Sequence, residues 1–491
     1  MIKNRSEIKS SLITDAVSYL CKKAACFLLE DVYKGIKDIY SRETSETAKG
    51  FLEEILVNAN IAYKTGRPIC QDTGIVVVFI EIGQNVAIEG EPLETAVNQG
   101  VEKAYKEFSL RKSIIKDPVF DRINTGTNSP AVIYTEVIPG NTVKISVMLK
   151  GSGSENMSVV RMLKPSDGVE GIINFVVETV KNAGPNSCPP LHVGIGIGGT
   201  MEYAGILAKK ALLSTITQLS ELKKFTKNDS KKELELKILN KIQDTGVGAE
   251  GFGGKYTAFA VSVETYPCHM ASLPVAVNLN CHAARHAEII IDENTKIPEN
   301  IEPDFEIPLL NNFIDYSGYK KLYLPLENEN IENLNAGDRV LLTGTIYTAR
   351  DAAHKKLFQQ LKDSKELPFS LQNQVIYYAG PCPAAQNEVI GPVGPTTSER
   401  MDAYTPKLLD WGLKGTIGKG RRSAEVVESI RKNKAVYFAA TGGAACLISE
   451  KIKSAKVIAY PELGAEAVYR LEVEDLPVVV CIDSKGNDFY S

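Results

Sequence analysis

The sequence predicts a mixed α/β fold in two domains, and three observations carry that expectation. At 491 residues the chain is longer than one hydrophobic core usually serves. Helical periodicities alternate with short apolar β runs along its length. A polar, acidic, Pro-punctuated stretch from Asp292 to Pro303 breaks that alternation, as an interdomain linker would. The expected division is a first domain over 1–290, a linker over 291–305 and a second domain over 306–491.

The elements follow in order. Residues 6–62 read as helices, with apolar spacing through Ile13, Val17 and Leu20 and then Ala48, Leu52 and Ile55. Ile75–Ile82 is a β-rich apolar run, and Leu93–Phe108 reads as a helix. Ala131–Val137 and Val143–Leu149 read as paired strands across a Pro139-Gly140-Asn141 turn. Helices are expected at Gly171–Ala183 and Met201–Ser220, and the Lys- and Glu-rich stretch Glu221–Asp244 reads as a solvated helical insertion. In the second domain β runs are expected at Val340–Tyr347, Val375–Ala379 and Ala435–Ala440, alternating with helical stretches.

Composition narrows the function classes. The apolar fraction of 44% and charged fraction of 24% are those of a soluble globular protein. A net charge of -4 gives no footprint for nucleic acid. No run approaches the roughly 18 apolar residues of a membrane span. Met1–Glu7 leads into helix-like sequence with no apolar signal core, so the expected compartment is the cytoplasm. The nine cysteines are odd in number and contain no C-x-x-C pair, which argues against a disulfide framework, a thioredoxin-type site, most zinc ribbons and a ferredoxin-like run.

Several motifs carry chemistry. Arg67-Pro68-Ile69-Cys70-Gln71-Asp72-Thr73-Gly74 sets a soft thiolate, an amide and a carboxylate side by side between Pro and Gly. Cys188 lies in the Pro-flanked Gly184–Pro190 segment, and Cys281 follows an apolar run in Asn278-Leu279-Asn280-Cys281-His282. Taken singly, Cys188 and Cys281 read better as packed thiols than as ligands. With Cys70 they make three thiols in irregular segments of one domain, and a four-iron cluster held by three thiolates leaves one iron open. Cys382 stands between two prolines, while the remaining cysteines look bland.

Gly194–Gly199 reads as a tight strand-to-helix turn, and Gly251–Tyr256 fails the P-loop pattern. The second domain offers three cationic or hydroxyl clusters, at Thr348–Lys355, Gly391–Asp402 and Gly415–Arg422. Arg suits bidentate capture of carboxylates and Lys suits a developing oxyanion. The third cluster alone reads as a solvated basic surface, whereas the second presents Thr396 and Thr397 on rigid turns beside Arg400, as a binding loop would.

Together these motifs resemble the class I, oxygen-sensitive iron–sulfur fumarate hydratases, whose superfamily also acts on tartrate and mesaconate. The resemblance rests on Ile69–Gly74, on Lys150-Gly151-Ser152-Gly153-Ser154-Glu155-Asn156 and on the loop through Thr396-Thr397 to Arg400-Met401-Asp402, and it spans nearly the whole chain. It implies a cluster-binding α-type domain fused to a β-type α/β domain of the swivelling kind. It implies a [4Fe-4S] cluster on Cys70, Cys188 and Cys281, and substrate contacts from Gln71, Arg111, Gly153, Arg350, Thr397, Arg400 and Lys419. It assigns proton transfer to Asp72, His269 and Thr396, with Lys419 supporting the Thr396 hydroxyl as a base, and gives His282 no role. The expected reaction is reversible dehydration of (S)-malate to fumarate in a homodimer. Tartrate or mesaconate is the alternative substrate, and a non-catalytic iron–sulfur sensor or a zinc-bound structural protein the alternative class.

Overall fold

The computed structural model describes residues 5–217, 229–283, 285–308, 314–363 and 366–490. The chain opens with a strand where helix was expected: β1 (Ser6–Lys9) pairs in parallel with β3 (Val86–Glu89). Its residues alternate buried and exposed, a period of two too short to stand out beside the long helical pattern that follows. Helices α1 (Ser10–Cys26), α2 (Glu30–Arg42) and α3 (Glu46–Thr65) then form as expected. The Ser45 hydroxyl caps α3 at its start, and Gly66 ends it in left-handed backbone.

The first sheet has the order β10 (His286–Ile291), β5 (Val143–Lys150), β2 (Ile75–Gly83), β4 (Val132–Ile138). The expected hairpin of β4 on β5 is absent, because β2 lies between them, parallel to β4 and antiparallel to β5. An apolar run buried on both faces belongs at the centre of a sheet. The Pro139–Asn141 turn therefore wraps the end of β2, with the Asn85 N–H donating to Gly140 O. On one face Ile13, Val17 and Leu20 of α1, with Val97 and Val101 of α4 (Leu93–Glu107), pack on Val76, Val78 and Ile80.

From β5 the chain passes through the short helix α5 (Ser152–Glu155) into a second sheet, ordered β6 (Val159–Leu163), β9 (Leu273–Asn280), β7 (Leu191–Gly198), β8 (Ala258–Tyr266). Helices α6 (Gly168–Ala183) and α8 (Ser230–Gln243) share one core with these strands, and α7 (Met201–Ala211) packs closely along β7. The expected turn over Gly194–Gly199 divides in two. Gly194 and Gly196 sit inside β7, where a side chain would begin 2.2 Å from Ala208 O and 2.0 Å from Ala204 O, so glycine is what lets α7 lie on the strand. Gly198 and Gly199, at φ 95 and 69, make the turn itself. The α7 helix stops at Ala211, short of Ser220. Residues 218–228, which hold the start of the Lys- and Glu-rich insertion, lie outside the described residues; the rest is α8, whose Ile238, Leu239 and Ile242 are buried rather than solvated.

Between Ile291 and Lys320 the described residues form no helix or strand. The second domain is one sheet, ordered β11 (Lys320–Tyr323), β12 (Arg339–Thr348), β13 (Val375–Tyr377), β14 (Gly415–Gly418), β15 (Val436–Ala439), β17 (Val468–Ile482), β16 (Ile452–Ala459). The expected runs at 340–347, 375–379 and 435–440 are β12, β13 and β15. Because β17 also pairs with β12, five strands close on themselves as a small barrel. Val340, Leu342, Tyr377, Ile417, Phe438 and Val480 share one core cluster there. Their neighbours along the strands, Ile376, Tyr378, Tyr437, Val479 and Cys481, belong instead to the apolar cluster that contains Tyr33, Ile36, Leu52 and Ile55 of α2 and α3. The two domains therefore share a core. No helix among the described residues is long and apolar enough to cross a membrane.

Candidate active site

Three loops of the first domain bring the three thiols toward one another. Cys70 follows α3 and Gly66 and precedes β2, Cys188 follows α6, and Cys281 follows β9. Cys188 takes left-handed backbone (φ 55) just ahead of a cis Pro189–Pro190 bond, a conformation no regular element supplies. Cys281 lies within electrostatic range of both Cys70 and Cys188. Burial pushes the Cys70 and Cys188 thiols up, while Arg285 beside Cys70 and Lys419 beside Cys188 pull them toward the thiolate. The Lys419 ammonium donates directly to the Cys188 Sγ and, at 3.4 Å, to Asn186 O. Lys419 directly follows strand β14 of the second domain, so this contact joins the two.

Asp72 is gripped from several sides. Its Oδ1 lies 3.2 Å from Arg111 Nη2, and its Oδ2 accepts the Ser152 N–H at 3.0 Å. The Arg285 guanidinium donates to its main-chain oxygen. A side chain on Gly151 would begin 2.9 Å from Arg285 Nη2 and 3.3 Å from Asp72 Oδ2, which explains a glycine there. Burial would raise the Asp72 carboxyl, but Arg111 and Arg285 together hold it well below the usual carboxylate range. The turn that carries Ser152 is itself fixed, because the fully buried Lys150 donates to Ser154 Oγ and to Leu279 O near the end of β9. Gln71 reaches the other domain, where its amide donates to Pro395 O at 3.3 Å.

The second domain supplies arginines. Arg350 precedes the helix Asp351–Lys362 and pairs with Glu466 at 3.2 Å, and Arg400 pairs with Asp351 at 3.0 Å. Arg111 crosses from the first domain and donates to Gly380 O at 2.9 Å. A side chain on Gly380 would begin 2.9 Å from Arg350 Nη1, so two guanidiniums converge on one glycine. Burial lowers the Arg350 guanidinium, Glu466 opposes, and Arg111 and Arg400 lower it further, to about 10. Arg111 Nε and Arg350 Nε are buried with no partner among the described residues. Crowded cations with unused donors have the chemistry to hold an anion.

Thr396 and Thr397 are on the segment that pairs with Lys419: the Thr396 N–H donates to Tyr378 O, and Thr396 O accepts the Lys419 N–H. Gly153 faces the same ammonium, since a side chain there would begin 3.2 Å from Lys419 Nζ. The solvated reading of Gly415–Arg422 is corrected. Gly415, Thr416, Ile417, Gly418, Lys419 and Gly420 are buried, and Arg422 is buried against Asp402 and Thr405. The strand pairing of β14 between β13 and β15 draws a basic-looking run inward.

His269 is not brought to the site within this chain. It is exposed on the turn between β8 and β9, and β9 runs the eight residues from Leu273 to Asn280 before Cys281. At about 3.3 Å per residue that separation is of order 25 Å.

Three charged or titratable groups around the thiols, Arg285, Glu250 and His282, have no role that the sequence assigns. Arg285 is signalled only by its place ahead of β10. Glu250 stands just before Gly251, in the glycine-rich stretch that fails the P-loop pattern. It is buried, its Oε2 accepts the Gly442 N–H at 3.0 Å, and burial pushes its carboxyl up to about 8. His282 approaches the same peptide, with Nε2 2.7 Å from Gly442 O. A side chain on Gly442 would begin 2.6 Å from the Cys188 Sγ. Cys382 is also more than bland, since its thiol meets Gln71 O at 3.5 Å.

These residues fit an iron–sulfur cluster. Three soft thiols stand on separate loops, Cys281 within electrostatic range of both Cys70 and Cys188, with two buried cations beside them that offset thiolate charge. Among the described residues no three His, Cys, Asp or Glu side chains close around a single ion. A cluster is a larger body, and its ligands stand farther apart than those of one ion.

Comparison with known proteins finds matches over both domains. Residues 14–290 match the family model described as fumarate hydratase, and residues 295–491 match the fumarase C-terminus model. The chain is 34% identical to the anaerobic class I fumarate hydratase of Escherichia coli K12, covering 97% of this chain and 90% of that one. It is 32% identical to fumarate hydratase 2 of Leishmania major, covering 91% and 81%. A putative L(+)-tartrate dehydratase subunit alpha of Methanocaldococcus jannaschii is 43% identical, covering 56% of this chain and 96% of that protein.

Proposed function

The chain belongs to the class I fumarate hydratase family, a family of hydro-lyases, and from that premise we propose that it interconverts (S)-malate and fumarate on a [4Fe-4S] cluster held by Cys70, Cys188 and Cys281. The observation that carries the reading is the facing of a thiol wall from one domain by an arginine wall from the other, joined through Lys419 and Gln71. The reading divides the chain into a cluster domain over 1–290 and a substrate domain over 306–491, joined by 291–305.

Dehydration needs the C3 proton to leave, the C4 carboxylate to carry the resulting charge, and the C2 hydroxyl to depart. A cluster on three thiolates, when bound, keeps one iron open and supplies Lewis-acid assistance to the departing hydroxyl. The side chains do the rest. Arg111, Arg350 and Arg400 bind the two carboxylates, which relieves the mutual repulsion that lowers Arg350. Gln71, Gly153 and Thr397 line the space between the walls. Thr396 takes the C3 proton, and Lys419, whose backbone N–H donates to Thr396 O, brings the cation of the same loop toward Cys188. Asp72 is too strongly ionised to accept a proton while Arg111 faces it. When a substrate carboxylate engages Arg111, the strongest of the three guanidiniums acting on Asp72 is offset and Asp72 becomes a better acceptor. His269 can take part only if a second copy presents it, which ties its role to the homodimer.

Anaerobic iron and sulfide analysis, with malate, tartrate and mesaconate turnover on the same sample, tests this. Cluster with malate turnover supports the reading, whereas cluster without turnover of any of the three points to a sensor. Tartrate turnover far above malate would favour the second reading, which the 43% identity to the tartrate dehydratase subunit motivates.

A further inference from the structure

Asn58 lies in the interior of α3 with 1% of its surface exposed, a place where asparagine is a poor helix former and gains nothing from solvent. Its amide is fully used. Nδ2 donates to Ile69 O and to Gly443 O, both at 3.0 Å, and Oδ1 accepts from the N–H groups of Cys446 at 2.8 Å and Leu447 at 3.0 Å. That is every donor and acceptor position a side-chain amide offers.

The partners explain the arrangement. Cys446 and Leu447 are the second and third residues of the helix Ala445–Glu450 in the other domain, the two N–H groups that an N-cap side chain normally satisfies. The residue in the capping position is Ala444, which has no group to offer. Asn58 therefore caps that helix from the opposite domain. The same amide holds Ile69, one residue before Cys70. The loop around Ile69 is otherwise pinned by Ala25 O, which accepts the Ile69 N–H at 2.9 Å, and by the Cys446 thiol, which donates to Pro68 O at 3.0 Å. The segment that Asn58 grips also meets the thiol wall, because Gly442 lies against the Cys188 Sγ and Glu250.

We propose that Asn58 is a positioning residue for the hydro-lyase reaction: one side-chain amide couples the docking of the second domain to the placement of the Cys70 ligand loop. The inference rests on the assignment of Cys70 as a cluster ligand. Asn58 touches neither substrate nor cluster and acts through Ile69 and the helix Ala445–Glu450.

Substitutions separate this coupling from a merely structural cap. Asn58→Asp keeps both acceptors, and with them the cap, but loses the two donors to Ile69 O and Gly443 O. Asn58→Ala combined with Ala444→Ser removes the amide and gives the helix a cap within its own domain. The readout is the rate at which anaerobically loaded protein releases iron to a chelator, followed beside thermal unfolding. Both variants leave the carbonyls of Ile69 and Gly443 unpaired, so both are expected to unfold at a lower temperature and to release iron at least about tenfold faster than wild type when each is compared at the same interval below its own unfolding temperature. Wild-type release rates in both would overturn the coupling and leave Asn58 as a cap. So would restoration of wild-type iron retention by Ala444→Ser in the Asn58→Ala background. Wild-type protein that binds no iron and sulfide would instead overturn the ligand assignment, which the coupling test leaves distinguishable.

Discussion

The thiol wall and the arginine wall are built by opposite means. Cys70 and Cys188 are buried, on loops tied to α3 and to the neighbouring domain. Arg350 and Arg400 are instead held by carboxylates, Glu466 and Asp351, that are themselves partly exposed, and the Arg400 side chain is 37% exposed. Packing fixes the first wall before any ligand arrives. Exchangeable ion pairs hold the second, so a dicarboxylate can replace the internal carboxylates without unfolding anything. On the proposed function, the side assigned to the cluster is held by packing and the side assigned to substrate by exchangeable ion pairs.

The largest expected effect comes from breaking the rigid wall. Cys70→Ala, Cys188→Ala or Cys281→Ala should each lower malate dehydration by at least about 10³-fold, the several kcal/mol a metal contributes to such a step. Iron and sulfide content should fall in parallel. A variant with full cluster and full activity removes that cysteine from the ligand set. On the replaceable wall the losses should be graded by burial. Arg350→Gln, at a side chain only 13% exposed, should cost about 10²-fold in kcat/KM. Arg400→Gln should cost about tenfold, and its wild-type contribution should weaken as salt is raised. Equal losses with equal salt dependence would erase the distinction between a buried and an exposed arginine, and with it the contrast between the walls.

Much of the rigid wall is legible in the sequence, because Pro, Gly and Cys in irregular segments have few reasons to stand together. That pattern draws attention to Cys70, Cys188 and Cys281, and the family resemblance is what joins them as a ligand set. The strands β2, β12, β13 and β15 are visible for a similar local reason, being apolar runs bounded by turn residues. Pairing is not. The false hairpin of β4 on β5 follows from the assumption that neighbours in sequence are neighbours in the sheet, and only the burial of both faces of β2 decides otherwise. Arg285, Glu250 and Asn58 escape for a related reason, since each acts on a residue far away in the chain. A polar residue inside a helix gives no sign of which backbone it will meet.

The smallest effect tests how dry the packing behind the thiol wall is. Glu54, about one turn of α3 ahead of Asn58, is buried and accepts the Thr441 hydroxyl just ahead of Gly442. Burial pushes its carboxyl up to about 7 from the ordinary 4.5, with the Thr441 bond and Arg339 opposing. The folded protein therefore holds a proton that the unfolded chain gives up above pH 4.5, and folding stability should fall as pH rises through the window from 4.5 to about 7. Glu54→Gln keeps the shape and cannot ionise, so it should remove that slope and make the variant the more stable protein at pH 8. The gain should be at most about 3 kcal/mol, read from denaturant midpoints at intervals between about pH 5 and pH 8. If both proteins show the same slope, Glu54 is already ionised in the folded state. Arg339, which with Glu54 and Thr441 lines a small cavity, then supplies the compensating charge, and the seam behind the thiols is held by an ion pair as the arginine wall is.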